Sequence, residues 1–199
     1  YIHPELAETN TLSPTEALIF AQDHICGGID FLLKETGVKS ITVPTSHGNH
    51  GRTTEKRRVA SAAANSFEWL MYRTLERHYR NEPRVTWKVA EGYHNWLEIQ
   101  GKHVRFHHGD ELRYGGGVGG ITIPVNKAIA QWDKSKRADL DIFGHWHQWL
   151  CHRKFVSNNC LIGYGPFALA IKADFAAPSQ TFVVIDRDRP GAVTVQEIC

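Results

Sequence analysis

The chain has 199 residues, enough for one domain with a sizeable core, and its 42% hydrophobic and 22% charged content is that of a soluble globular protein. A formal charge of +2 gives no bulk electrostatic case for or against nucleic acid. No apolar run reaches the ~18 residues of a membrane span, and no charged-then-apolar leader opens the chain, so neither a span nor a signal peptide is expected.

The four cysteines, Cys26, Cys151, Cys160 and Cys199, are widely spaced and form no C-x-x-C pair, which argues against a zinc ribbon or a thioredoxin-like motif. Such thiols fit a reducing, cytoplasmic setting, although a Cys151–Cys160 disulfide stays open. The 12 histidines are more informative, because several fall in clusters. The chain opens on Tyr1 and its single methionine is Met71, which suggests processing, trimming or a piece of something longer.

In chain order, Ser13-Pro14 with Glu16 reads as a helix start, Ser13 capping and Pro14 taking the first helical position. Leu18, Ile19, Ile25, Ile29, Leu32 and Leu33 continue it to about Lys34, and Gly37 stops it. A short buried strand is predicted over 40–44. A second long helix follows, capped by Thr53 or Thr54, with Val59, Ala63, Phe67, Leu70, Leu75 and Tyr79 on its buried face. Strand character resumes over 85–90. A hairpin follows, with Leu97 and Ile99 going out, Gln100-Gly101-Lys102 turning, and Val104 and Phe106 returning. His108 continues the inward parity of Val104 and Phe106.

Residues 114–120 form a Gly-rich loop; no Gly-Lys-Ser/Thr follows it, so it reads as a mobile loop and not a phosphate loop. A third helix over about 125–136 leads into the strand before Gly144, and further strands are expected near Phe155, over 160–164 and over 181–186. Strands alternating with helices argue for a single α/β layered domain over residues 1–199, with ligands collecting beyond the strand ends.

Three polar clusters lie at such ends. Gly48-Asn49-His50 follows Ile41-Thr42-Val43-Pro44, His108-Gly109-Asp110 follows Val104-Arg105-Phe106, and Gly144-His145-Trp146-His147 follows Leu140, Ile142 and Phe143. Imidazole is the commonest metal-ligating side chain near neutral pH. Asn49, His108, His145 and His147 make a mixed O/N set suited to Mn, Fe or Zn.

The order Gly-Asn-His, His-Gly, Gly-His-x-His resembles the C-terminal three motifs of the calcineurin-like metallophosphoesterases, over roughly 41–161. Asn158-Asn159-Cys160-Leu161-Ile162-Gly163-Tyr164 looks like the strand after the last motif in bacteriophage members. The resemblance implies a layered α/β/β/α sandwich and a dinuclear centre of two divalent metals, Mn first, with Fe, Zn, Mg or Ni as other candidates. Asn49, His108 and His145 would ligate one metal and His147 the other. His50 would act as the acid or phosphate-contacting residue, and Arg52 would pair with a phosphate. Two metals about 3.5–4 Å apart would activate a bridging water for phosphomonoester or phosphodiester hydrolysis, and a nuclease role follows only by analogy.

The departures matter as much. The family's Asp-x-His and Gly-Asp-x-x-Asp motifs have no counterpart over residues 1–47. Asp23-His24 has the wrong spacing, Asp30 falls in a predicted helix, and His3 has no Asp two residues before it. The expectation is therefore a C-terminal portion lacking its first strands, needing an N-terminal fragment with those two motifs as partner. Its strand over 40–44 would be left with an unpaired edge that favours oligomers or aggregation. The alternative class is a non-catalytic scaffold that binds phosphate or nucleic acid through a degenerate metal site. A mononuclear zinc hydrolase built on His108, His145 and His147 is a third. The bland readings are a surface turn at Gly144, an Asn turn at Gly48, and a structural histidine at 108 with His107 competing for its role. Lys56-Arg57-Arg58 reads either as a nucleic-acid contact or as a solvated helix face, and Cys151-His152 with Cys160 is too loose for a zinc site.

Overall fold

The computed structural model describes residues 10–115, 119–189 and 192–199. Three of the Gly-rich residues, 116–118, and His3 lie outside them. The fold is mixed α/β, and the chain divides into two compact units at Asn95/Trp96.

The first unit opens with α1 (Pro14–Glu35). Its start is the predicted capping box: the Ser13 hydroxyl caps the Glu16 amide, and the Glu16 carboxylate accepts from the Ser13 amide at 2.9 Å. Asp23, His24 and Asp30 all sit on this helix. His24 Nδ1 lies 2.8 Å from the Phe20 carbonyl, and Asp30 accepts from the Tyr79 hydroxyl at 2.8 Å. His24 and Asp30 thus have structural partners within this unit.

Strand β1 (Ile41–Thr45) runs parallel to β2 (Val85–Val89), pairing Ile41 with Val85 and Thr45 with Val89. Among the described residues β1 has no other strand neighbour. Ile29 of α1 packs with Val85 and Trp87 and with Met71, Leu75 and Tyr79 in one apolar cluster.

The second helix departs from expectation. It is α2 (Phe67–His78), capped by the Ser66 side chain on the Trp69 amide at 3.2 Å, and not by Thr53 or Thr54. The segment before it is irregular, with two short 3-10 turns. Non-local bonds decide this. The Phe67 amide donates to the Gly51 carbonyl at 2.9 Å and the Thr53 amide to the Asn65 carbonyl at 2.8 Å, folding 51–66 into a closed loop. Val59 and Leu70, expected on the buried face, are 57% and 56% exposed. Lys56, Arg57 and Arg58 are exposed on that loop, not on a helix.

The second unit is built on a five-stranded sheet in the order β3-β4-β5-β7-β6. β3 (Asn95–Ile99) and β4 (Lys102–His107) form the predicted hairpin. Gln100 and Gly101 both take positive φ (50° and 74°), the backbone of a two-residue turn matched to strand twist. α3 (Thr122–Trp132) crosses from β4 to its parallel neighbour β5 (Leu140–Phe143). β6 (Leu150–Cys151) and β7 (Phe155–Ser157) form a tight hairpin, β7 running parallel to β5. Val125 and Ile129 of α3 pack on Phe143, Phe155, Leu112 and Trp146. α4 (Pro166–Ile171) and the antiparallel pair β8 (Gln180–Ile185) and β9 (Val193–Ile198) complete the unit.

Residues 160–164 are turns and not a strand. The Asn pair before them explains why. Asn158 accepts from the Thr181 amide at 2.8 Å and donates to Gln180 at 2.7 Å, while Asn159 donates to Ser179 at 2.7 Å, so both side chains fasten the start of β8. All four cysteines are free thiols. No described helix is long and apolar enough to cross a membrane.

Candidate functional site

The polar clusters lie beyond strand ends, as the sequence predicts. In the first unit, the loop after β1 carries Asn49, half-buried, and His50, exposed. The Gly48 amide donates to Glu68 Oε2 at 2.6 Å, and a Cβ on Gly51 would stand 2.8 Å from Glu68 Cγ. Glu68, in the first turn of α2, is thus a fastener of this loop that sequence reasoning missed; its only signal is an acid near a helix start. Arg52 donates to the carbonyls of Asn49, Thr54 and Glu55, the latter two both at 3.0 Å. Those bonds brace the loop backbone directly behind Asn49.

The second unit gathers the histidines. β4 and β5 run parallel in register, His107 opposite Phe143, so the residues after them, His108 and Gly144, emerge side by side. The Gly144 amide donates to the His108 carbonyl at 3.1 Å. Gly109 has φ +109°, and a Cβ there would meet the Gly144 carbonyl at 2.8 Å; only glycine lets the two loops approach this closely. Nδ1 of His145 then lies 3.3 Å from Nε2 of His108, the rings edge to face with centroids 5.1 Å apart. Two nitrogens at this separation are close enough to share a proton or one metal ion.

His145 and His147 both adopt left-handed backbone, φ 69° and 53°, a conformation rare outside glycine and concentrated at functional sites. Trp146 between them is buried and packs with Leu112 and Phe143, so the turn is pinned by its apolar middle residue while the imidazoles flank it. His147 is half-buried, and burial holds its pKa below the ordinary histidine value, favouring the neutral, ligand-competent ring.

The inward parity expected for Val104, Phe106 and His108 does not hold along β4. Val104, Arg105 and His107 are all buried and Phe106 is half-buried, because both faces of this central strand are covered. His107 stacks on Phe143 at 5.0 Å, with Asp141 3.5 Å from its Nε2, and takes the structural part, leaving His108 at the strand end. Among the described residues no group of three or more His, Cys, Asp or Glu is placed to hold a metal ion. Asn49 and His50 belong to the first unit, and His108, His145 and His147 to the second.

No family profile and no characterised protein matches the sequence. Structures of Vps29 are similar in fold. The wild-type protein of Entamoeba histolytica, complexed with Zn2+, shares 14% identity over 79% of this chain and 96% of its own, with a TM-score of 0.40. That of Cryptosporidium parvum shares 13% over 64% of this chain and 75% of its own, also at 0.40. That of Chaetomium thermophilum shares 10% over 79% and 95%, at 0.35. Likeness at this level carries no functional information.

Proposed function

We propose that the chain is a metallophosphoesterase-like binding module that holds a divalent metal between His108 and His145 and, through it, a phosphate group or the phosphates of a nucleic acid, without cleaving them. The 3.3 Å separation of the two ring nitrogens carries this reading. Two nitrogens bound to one tetrahedral metal at about 2.0–2.1 Å stand about 3.3–3.4 Å apart, so the pair already has the spacing of one edge of such a site. Two imidazoles leave coordination positions open for phosphate oxygens. The donor set favours Zn, Mn or Fe over soft-metal chemistry.

The test is metal and phosphate titration by calorimetry. One Zn2+ or Mn2+ should bind, metal loading should add a phosphate-binding event absent from the metal-free chain, and His108→Ala or His145→Ala should weaken the metal by about 10–100-fold. Absence of metal binding, or wild-type affinity in both variants, would falsify the reading.

A second reading is hydrolysis at a dinuclear centre, with His147 on the first metal and His108 and His145 on the second. It is favoured by His147, one residue beyond the Trp146 pin, whose left-handed backbone and burial-lowered pKa suit a ligating ring. It requires a partner polypeptide bringing the Asp-x-His and Gly-Asp motifs. Metal-dependent cleavage of a chromogenic phosphodiester on adding such a segment would replace the binding reading with this one.

A further inference from the structure

Because β4, β5 and β7 run parallel, their N-terminal ends share one edge of the sheet, opposite the histidines. Each strand is entered by a cation. Lys102 opens β4, Arg137 stands three residues before β5, and Arg153 and Lys154 form the hairpin turn leading into β7. These four side chains line a cavity of about 560 Å³ whose other wall is apolar, formed by Ile185, Val193 and Val195 of the β8–β9 pair. One carboxylate, Asp139, lines it too, and it already accepts from the His103 amide at 2.9 Å. Lys154 reaches Asp133 at 3.2 Å, whereas Lys102, Arg137 and Arg153 make no ion pair with another described residue.

The chain as a whole carries a formal charge of only +2, so four cations around one concavity are a local concentration and not a reflection of bulk charge. Cations crowded in a cleft with a low-dielectric wall focus a positive potential on its mouth. Two of them are guanidiniums, whose forked donors match phosphate oxygens in pairs. The apolar wall would add nothing for a bare inorganic ion, but it would bury the body of an organic one. The volume is that of a small-ligand site.

We propose that this cavity binds a small organic phosphate: its phosphate among Arg137, Arg153 and Lys102, its apolar body against Ile185 and Val195. The histidine loops stand at the other end of the same strands, about 15–20 Å away for strands of this length. The site is therefore independent of the metal.

Calorimetry on the full chain tests this with AMP as probe, and with inorganic phosphate and adenosine as its separated parts. AMP should bind in the micromolar range, and each part at least about tenfold more weakly. The double variant Arg137→Gln/Arg153→Gln and, separately, Val195→Asp should each weaken AMP at least about tenfold with unchanged thermal midpoints for the Gln pair. His145→Ala and chelation with EDTA should leave AMP binding at this cavity unchanged, removing only whatever phosphate the metal itself holds. The proposal is overturned if AMP does not bind, if inorganic phosphate binds as tightly as AMP, if the Gln pair binds normally, or if binding follows the metal. A single-stranded oligonucleotide binding far more tightly than AMP would also overturn it, marking the edge as a nucleic-acid surface.

Discussion

Arg105 and Asp141 face each other directly across the parallel pair β4–β5, joined by two hydrogen bonds of 2.6 and 3.0 Å, and both side chains are almost wholly buried. The guanidinium also reaches Asp133 at 3.1 Å and the Lys136 carbonyl at 3.3 Å, and lies 5.2 Å from the ring centres of both Trp96 and Trp132. A charge this deep in the sheet is tolerable because it donates four hydrogen bonds and two tryptophan rings lie against it.

Removing one partner would leave the other charge uncompensated. Asp141→Ala should cost about 3–5 kcal/mol in urea unfolding, whereas Arg105→Met combined with Asp141→Leu should recover most of that loss. A loss below about 1 kcal/mol for Asp141→Ala would mean that the guanidinium reaches water.

Gly109→Ala should be costly where Gly144→Ala is mild. At 109 the new Cβ meets the Gly144 carbonyl at 2.8 Å in a backbone of φ +109°, while at 144 the nearest atom is 3.9 Å away. The first change should lower stability by about 1–3 kcal/mol and weaken Zn2+ at least about tenfold by parting the histidine loops. Equal effects of the two substitutions on calorimetric metal affinity would refute that account.

Stability should fall in two steps on acidification. Burial holds the His107 pKa below its ordinary value, with Arg105 acting in the same direction and Asp141 and Asp110 opposing. The unfolded chain therefore takes up that proton first, and stability declines as pH falls below about 6.5. For Asp133, burial acts upward, but the Ala138 amide, Lys154 and Arg105 outweigh it and hold the carboxyl below its usual range. Its contribution is present above about pH 4 and is lost as pH falls through its lowered folded value. Thermal midpoints from pH 2 to 8 should show both steps. His107→Phe should erase only the upper one and Asp133→Asn only the lower.

At α2, Ser66→Ala should cost about 1 kcal/mol and Thr54→Ala less than about 0.5, read from chemical denaturation midpoints. The reverse order would restore the longer helix that the sequence suggests.

That helix shows where local reading stops. α1 was legible because its capping box, Pro14 and apolar stripe all lie within one segment, and the β3–β4 turn because Gly101 permits positive φ. Thr53, Thr54 and Ser66 are equally good caps by residue type; bonds from Phe67 to Gly51 and from Thr53 to Asn65 choose among them. Burial of Arg105 depends on Asp141, 36 residues later, and on two tryptophans, so strand alternation alone does not show that the face opposite Val104 is covered too. At the candidate site, the positions of the three clusters beyond strand ends were visible in the sequence. The pairing of His108 with His145 follows from the β4–β5 register, and the fastening of the Gly48 loop by Glu68 from a helix 20 residues on. The Asn158–Asn159 anchors were read as strand because their work is done by side chains, which backbone patterns do not record.

His107 and His108 are neighbours in sequence, and only the alignment of β4 against β5 decides which of them meets His145. Sliding one strand by a single residue would turn each side chain to the opposite face and set Arg105 beside Leu140 or Ile142, a buried charge facing hydrocarbon. The ion pair thus serves as a key for strand alignment. It stands three residues, about 10 Å, along the strand from His108, and it penalises the misaligned strand that would put the other imidazole in the loop.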